Sequence, residues 1–386
     1  MIKKILLFTY PFLIIFLFLY SLTQIDLNLF LFKFDAWVNF QRFFQNIGYF
    51  QRPLSAYIYI SILILLFVSY IGFLYLVQKN KIKQSEIWKL IIFSAVLLTF
   101  SYNAFSYDLF NYIFDAKIIT HYGQNPYFHR ALDFPGDPML NFMHWTHRTY
   151  PYGPSWLALT IPLSFFGFNF FLPTILMFKA LAASCFLGTA YFIGKILDKT
   201  DKKNKLFGLA FFALNPLVLM EGLVSAHLDI VMAFFGVWAF YLLFNKKYIA
   251  SLLSLIFSAG IKFVTVVLLP LFLFRIFSVS KKKLSFEKIS IVSVLLMTIA
   301  IVASSLRTNF QPWYLLYALP YVSFISRRYY VFIPSVVLSF SSLLIYIPYL
   351  YSGNWDPPIP TILFWITALG ILSSILIVSI RYKMVK

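Results

Sequence analysis

The chain has a single cysteine, Cys185, and it sits inside an apolar run. That excludes a disulfide-stapled scaffold and a zinc–thiolate module. Charge is sparse too: Asp, Glu, Lys and Arg make up 12% of the residues, against about 25% in a soluble domain. No polar low-complexity stretch occurs, which excludes disorder. No glycine-rich phosphate loop occurs either, so there is no sign of a soluble nucleotide-binding domain.

What the chain holds instead is apolar and aromatic. Apolar residues reach 61% of 386, with 47 Phe and 26 Tyr. A soluble fold of this length has too little interior to hide that surface. The chain reads as an all-α polytopic membrane protein.

The formal charge of +19 points superficially to nucleic acid. The bases, however, fall in short clusters between apolar runs: Lys3 with Lys4, then 79–89, 195–205, Lys246 with Lys247, 275–288, Arg327 with Arg328, and 381–386. This is the positive-inside pattern, so the surplus records topology and no nucleic-acid partner is expected. Residues 5–22 resemble a signal peptide but lack a small-x-small cleavage site, so they are read as a retained first span.

Crossing ~30 Å of hydrocarbon takes ~20 apolar residues. Spans are expected near 5–22, 56–77, 88–105, 173–197, 206–222, 228–244, 249–260, 262–278, 289–306, 311–326, 330–350 and 360–380, about twelve transmembrane helices. Runs 249–260 and 262–278 are short and can form a hairpin that does not fully cross. Residues 155–168 are apolar, but counting them as a span would turn the 199–205 cluster outward. They are therefore expected as a juxtamembrane helix. The whole chain, 1–386, reads as one integral-membrane domain with N-terminal spans in 1–87 and C-terminal spans in 330–386. Between them, 106–168 forms an outer loop with juxtamembrane helices. Both termini face the cytoplasm.

The hydrophilic part of that loop, 106–154, carries His121, His129, His144 and His147 with Asp108, Asp115, Asp133 and Asp137. Asp108 follows an apolar span, at an interface where a carboxylate is partly desolvated. If the segment is helical, Asp108, Tyr112 and Asp115 share a face. Such a carboxylate can take a proton from an alcohol, or simply cap a helix. Gly123-Gln-Asn-Pro-Tyr127 and Tyr150-Pro-Tyr-Gly-Pro154 are turn signals with aromatics suited to the headgroup level. His144 and His147, near Asp133 and Asp137, form an incomplete metal pattern with no third close ligand, so no metal site is expected.

Further residues fall at outer ends of apolar runs. Asn215-Pro216 and Glu221 precede His227-Leu-Asp229 across a short turn. Lys262 lies in the middle of 249–278, where an unpaired ammonium costs a few kcal/mol and wants an anion. Arg307-Thr-Asn-Phe-Gln-Pro-Trp-Tyr314 offers a guanidinium for bidentate phosphate binding beside two aromatic faces. Topological anchoring or buried ion pairs are the plainer roles for each. Taken together, they suit a lipid-linked anionic substrate meeting a hydroxyl acceptor.

At these residues the chain resembles the GT-C superfamily of integral-membrane glycosyltransferases, in its polyprenyl-phosphate-mannose-dependent mannosyltransferase branch. The resemblance runs in order through 108–117, Gly123-Gln-Asn-Pro-Tyr127, Tyr152-Gly-Pro154, 214–221, Ala226-His-Leu-Asp229, Lys262 with Pro270, and Gln311-Pro-Trp-Tyr314 with Pro320. It implies transfer of a sugar, mannose in this branch, from a polyprenyl phosphate to a lipid or glycan hydroxyl at the outer face. Asp108 matches the general base, with Asp115 and then Asp229 in reserve. Lys262, Arg307, Gln311, Trp313 and Tyr314 would meet the donor. Tyr112, Lys117, Asn125, Tyr127, Tyr152, Glu221, His227 and Asp229 would line the cavity. No cofactor is implied. Two other classes share parts of this pattern: a polysaccharide polymerase or ligase, and a lipid-linked-sugar flippase or secondary transporter. The latter would place its ionisable groups at the midplane of paired repeats, and no repeat is visible.

Overall fold

The computed structural model describes residues 1–277 and 285–385, and among them every regular element is a helix. Lys281, Lys282, Lys283 and Lys386 of the expected basic clusters lie outside the described residues. Helix α1 (Ile2–Ser21) is followed by α2 (Asp35–Gln45), α3 (Arg52–Gln78), α4 (Gln84–Thr99) and α5 (Asp108–Thr120). A loop then leads to α6 (Pro154–Phe166) and α7 (Phe171–Thr200). Next come α8 (Lys205–Ala213), the single turn α9 (Pro216–Leu219), α10 (Asp229–Phe244), α11 (Tyr248–Ile261) and α12 (Leu269–Phe277). The remainder is α13 (Phe286–Thr308), the short α14 (Leu319–Val322), α15 (Tyr329–Leu343), α16 (Tyr346–Ser352) and α17 (Ile359–Val385).

Among the described residues, six segments are long and apolar enough to cross a membrane: Ile2–Gln24, Arg52–Gln78, Phe171–Thr200, Phe286–Thr308, Tyr329–Ser352 and Ile359–Met384. At ~1.5 Å per residue, each exceeds the ~30 Å of hydrocarbon. A multi-pass membrane protein follows, and the other expected spans take different forms. Residues 206–222 become α8 and α9, bent by 52°. Pro216 removes an N–H and forces Asn215 into an extended conformation, so α8 cannot continue. The Asn215 side chain caps the new turn by accepting from the Leu217 N–H at 3.0 Å.

Residues 311–326, expected as one span, instead form 3₁₀ turns at Pro312–Tyr317 and Ser323–Ile325 on either side of α14. Pro312 and Pro320 open two of these three pieces, and neither can support a continuous helix through its position. The 249–278 stretch breaks at Lys262, which is extended between α11 and a 3₁₀ turn, Phe263–Leu268. The expected span 88–105 is helical only as far as Thr99; the chain from 100 to 107 is irregular.

Helix α6 has 13 residues, about 20 Å, which is too short to cross alone. It packs on α5, α7 and α11. Helix α2 is inverted relative to a water-facing helix. Gln41 and Gln45 are buried, donating to the carbonyls of Leu29, Ile25 and Asp26, while Phe34, Phe40 and Phe43 are exposed. That face suits lipid.

Helix α6 meets α11 through glycine. The Gly153 N–H donates to the Ile261 carbonyl at 3.3 Å, and a Cβ on Gly153 would lie 2.2 Å from the Gly260 oxygen. Gly153→Ala should therefore push α6 off α11 and cost ~1–3 kcal/mol, read as a lower melting temperature in detergent. Gly136→Ala, where a Cβ meets nothing within 4 Å, is the control. Equal melting of the two variants would refute the close approach.

Candidate active site

Asp108 reaches its place through a short irregular ledge. After α4 the chain runs from Phe100 to Tyr107, where the Asn103 amide donates to the Ser106 carbonyl at 2.8 Å. The Asp108 N–H donates to Ser106 Oγ at 3.1 Å, and Asp108 opens α5. A carboxylate in the first turn also gains from the helix dipole.

The opposite side of the site comes from the bent span. Past α9, residues Met220–Val224 form a π-turn, and Ala226 takes φ +50°. A positive φ on a residue other than glycine carries strain, which persists only when surrounding contacts enforce it. The His227 N–H donates to the Glu221 carbonyl at 3.0 Å, folding His227 back over the turn.

These two sides meet on one imidazole. His227 Nδ1 lies 3.5 Å from Asp108 Oδ2, and His227 Nε2 lies 3.3 Å from Glu221 Oε2. Trp313 stacks on the His227 ring with centroids 4.2 Å apart. Glu221 also accepts from the Tyr346 hydroxyl at 2.9 Å. Beside this row, Lys262 Nζ donates to Asp229 Oδ1 at 2.8 Å and lies over the rings of Tyr314 and Tyr317. His227, Glu221 and Asp229 are buried, whereas the Asp108 and Lys262 side chains each keep 22% of their surface exposed. Asp108 is thus the acid of this cluster that a substrate can reach. Desolvation pushes its carboxyl up from the ordinary range, and the nearby charges of His227, Lys262 and Arg148 oppose that rise.

Other expected site residues lie around or away from this cluster. Tyr112 is buried on α5, edge-on to Tyr152 and Trp156. Asp115 is buried one turn further on, and desolvation raises its carboxyl well above the ordinary range. Lys117 turns into the loop to pair with Asp137 at 2.5 Å, where Tyr122 also donates at 2.7 Å. Asn125 accepts from the Tyr127 N–H, and the Tyr127 hydroxyl donates to the Tyr152 carbonyl at 3.2 Å; these build the turn. Trp313 and Tyr314 are in the cluster, but Gln311 contributes only its backbone carbonyl to the turn. Arg307 is exposed in the last turn of α13, one residue before Thr308, whose hydroxyl meets that of Tyr314 at 2.5 Å.

His144 and His147 do not come together: His144 packs on Tyr107, and His147 lines an open cleft of about 620 Å³ with Phe128, Arg130, Asp133, Arg148 and Thr149. Among the described residues, no three acids, imidazoles or thiols are arranged to hold a metal ion.

Sequence reasoning missed Tyr346, Tyr317, Lys179 and Arg148. The two tyrosines are hidden in aromatic-rich runs that give no local signal. Lys179 did give one, because a lone lysine within an apolar span is the feature that singled out Lys262.

Long apolar helices around a buried acid–imidazole row define a polytopic membrane protein with a polar cluster in its interior. Residues 35–278 match the MptA_B family, alpha-(1->6)-mannopyranosyltransferase, N-terminal domain, and the chain belongs to that family. It is a glycosyltransferase, a mannosyltransferase of the GT-C type. No curated protein and no solved structure matches the chain.

The Asp229–Lys262 pair gives a direct test of the site's construction. Asp229→Asn leaves the ammonium without its counter-charge and should cost ~3–5 kcal/mol of stability. Asp229→Asn combined with Lys262→Met should recover most of that loss in thermal unfolding. A single variant as stable as the parent would remove the pair from the architecture.

Proposed function

We propose that this enzyme transfers mannose, with inversion, from a polyprenyl-phosphate donor to an acceptor hydroxyl at the outer membrane face, with Asp108 as general base. The observation carrying this reading is that Asp108 is the solvent-reachable carboxylate of the row, held against His227. In the reaction the acceptor oxygen attacks the anomeric carbon as its proton passes to Asp108. The bond from that carbon to the phosphate oxygen breaks, and its electron pair leaves with polyprenyl phosphate. One displacement needs one base and no covalent intermediate. A carboxyl raised by desolvation is a better match to a proton-transfer task near neutrality than a fully solvated one.

Negative charge grows on the leaving phosphate, and fixed cations aimed at it lower the barrier. Lys262, shared with Asp229, stands in the row, and Arg307, exposed at the end of α13 next to Thr308, is the second candidate cation. Trp313 and Tyr314 would lie along the sugar ring or the prenyl chain. The family description, alpha-(1->6)-mannopyranosyltransferase, points to a 6-hydroxyl on a mannose-containing lipid or glycan as acceptor.

The test is transfer from radiolabelled polyprenyl-phosphate mannose to a crude lipid and glycan acceptor pool, followed by linkage analysis. Asp108→Asn should lower kcat ~10²-fold or more while donor binding persists. Near-parental turnover in a folded Asp108→Asn protein would sink the mechanism and move the base assignment to another residue. Activity should survive chelation, since side chains supply the cationic charge; loss restored by magnesium or manganese would overturn that assignment. Arg307→Lys should weaken donor binding if a planar fork grips the phosphate, and should be silent if Arg307 only anchors α13.

We read the topology as about twelve passages. The six long helices and the bent α8–α9 pair are joined by paired short helices, with both termini cytoplasmic and 106–168 outside. On a Cys185→Ser background, cysteines placed in 199–205 should label from the cytoplasmic side and those in 121–148 from the outside. The opposite pattern would invert the assignment.

A further inference from the structure

Lys179 sits in the N-terminal third of α7, a helix long enough to cross a membrane, and only 2% of its surface is exposed. An ammonium buried in such a segment is costly unless its donors are satisfied. No carboxylate pairs with it among the described residues. Instead its three N–H donors go to three neutral oxygens: Ser101 Oγ at 2.9 Å, the Leu223 carbonyl at 2.7 Å and the Val224 carbonyl at 2.8 Å. That uses the full donor capacity of the group.

The identity of those acceptors matters more than their number. Leu223 and Val224 end the π-turn that carries Glu221, just before the chain leaves helical geometry at Ala226. Their carbonyls therefore lack the succeeding helical N–H groups that would otherwise claim them. Ser101 belongs to the ledge that delivers Asp108. Its hydroxyl donates to the Leu98 carbonyl at 2.6 Å, which leaves a lone pair for Lys179. The next residue is pinned as well, because the Tyr102 N–H donates to Ser21 Oγ at 3.0 Å. One amine thus ties the segment leading to Asp108 to the turn that carries Glu221 and leads into His227.

We propose that Lys179 is a positioning residue for the reaction, setting the separation between Asp108 and His227 by tethering the two segments that carry them. The proposal rests on Asp108 acting as the base. It assigns Lys179 no contact with substrate. Removing the tether lets the ledge and the turn move apart, so the 3.5 Å approach of His227 Nδ1 to Asp108 is lost and the base is no longer held toward the acceptor.

Lys179→Met keeps the length of the side chain and removes all three donors. Its kcat should fall ~10–100-fold, the scale of a misplacement of about 1 Å. KM for polyprenyl-phosphate mannose should stay within about twofold, as expected when only catalytic geometry is lost. The acid limb of the kcat–pH profile should shift, since the imidazole that neighbours Asp108 has moved. Lys179→Gln, which restores two N–H donors without charge, should regain part of the loss. A purely structural lysine would lower the melting temperature and leave kcat per folded molecule and the pH profile at parental values; that result would overturn the proposal. If Lys179→Met does not fold, Ser101→Ala decides: it cuts one tether, and a several-fold fall in kcat supports the proposal while unchanged kcat refutes it. Asp108→Asn assayed alongside separates the two levels, because an active Asp108→Asn enzyme defeats the base assignment whatever Lys179 does.

Discussion

A histidine ring held between two carboxylates out of contact with water is the interaction on which the rest of this structure depends. His227 is buried, so its ring nitrogens depend on the groups the protein brings near them. Asp108 and Glu221 approach those nitrogens from opposite sides, at 3.5 and 3.3 Å and without closing a hydrogen bond, and Trp313 covers one face. Each of those three sits on a different part of the chain. The row therefore exists only if α5, the π-turn and the Pro312–Tyr317 turn are placed together.

Helix breaks make that placement feasible inside an apolar bundle. In lipid every backbone group must be satisfied internally, so irregular backbone survives only where protein groups meet it. The breaks at Lys262 and in 311–326 adjoin the acid–imidazole row, and side chains meet carbonyls left free at helix ends. Tyr70 donates to the Phe211 carbonyl at 2.9 Å, Tyr59 to that of Leu343 at 2.8 Å, and Lys179 to those of Leu223 and Val224. The buried polar groups satisfy the broken backbone and fix the orientation of the residues it carries.

The electrostatic design is correspondingly local. Asp229 balances Lys262, Tyr346 occupies one oxygen of Glu221, and Lys117 with Tyr122 ties Asp137 into the outer loop. Although burial opposes its ionisation, the Asp137 carboxyl is held below its usual range by Lys117, Tyr122 and the Met139 N–H. The loop thereby gains a frame against which α5 is presented, and Lys117 belongs to that frame rather than to the acid–imidazole row.

The sequence by itself determined the membrane class, the helical architecture, the longest spans and the family, because hydropathy, charge clusters and ordered motifs are properties of neighbouring residues. It also singled out Asp108, Glu221, His227, Asp229, Lys262, Trp313 and Tyr314, since isolated polar groups in apolar runs need a reason to be there. It could not show that 206–222 and 311–326 break, because the proline and asparagine signals there compete with strong apolar character, and packing decides the outcome. Nor could it separate Lys117 and Asn125, which frame the loop, from residues that meet at the row. Tyr346 and Lys179 joined the site only in three dimensions. Hydrogen-bond partners far apart in sequence leave no trace in local periodicity, and the direction in which a side chain leaves a helix is fixed by the neighbours against which that helix packs.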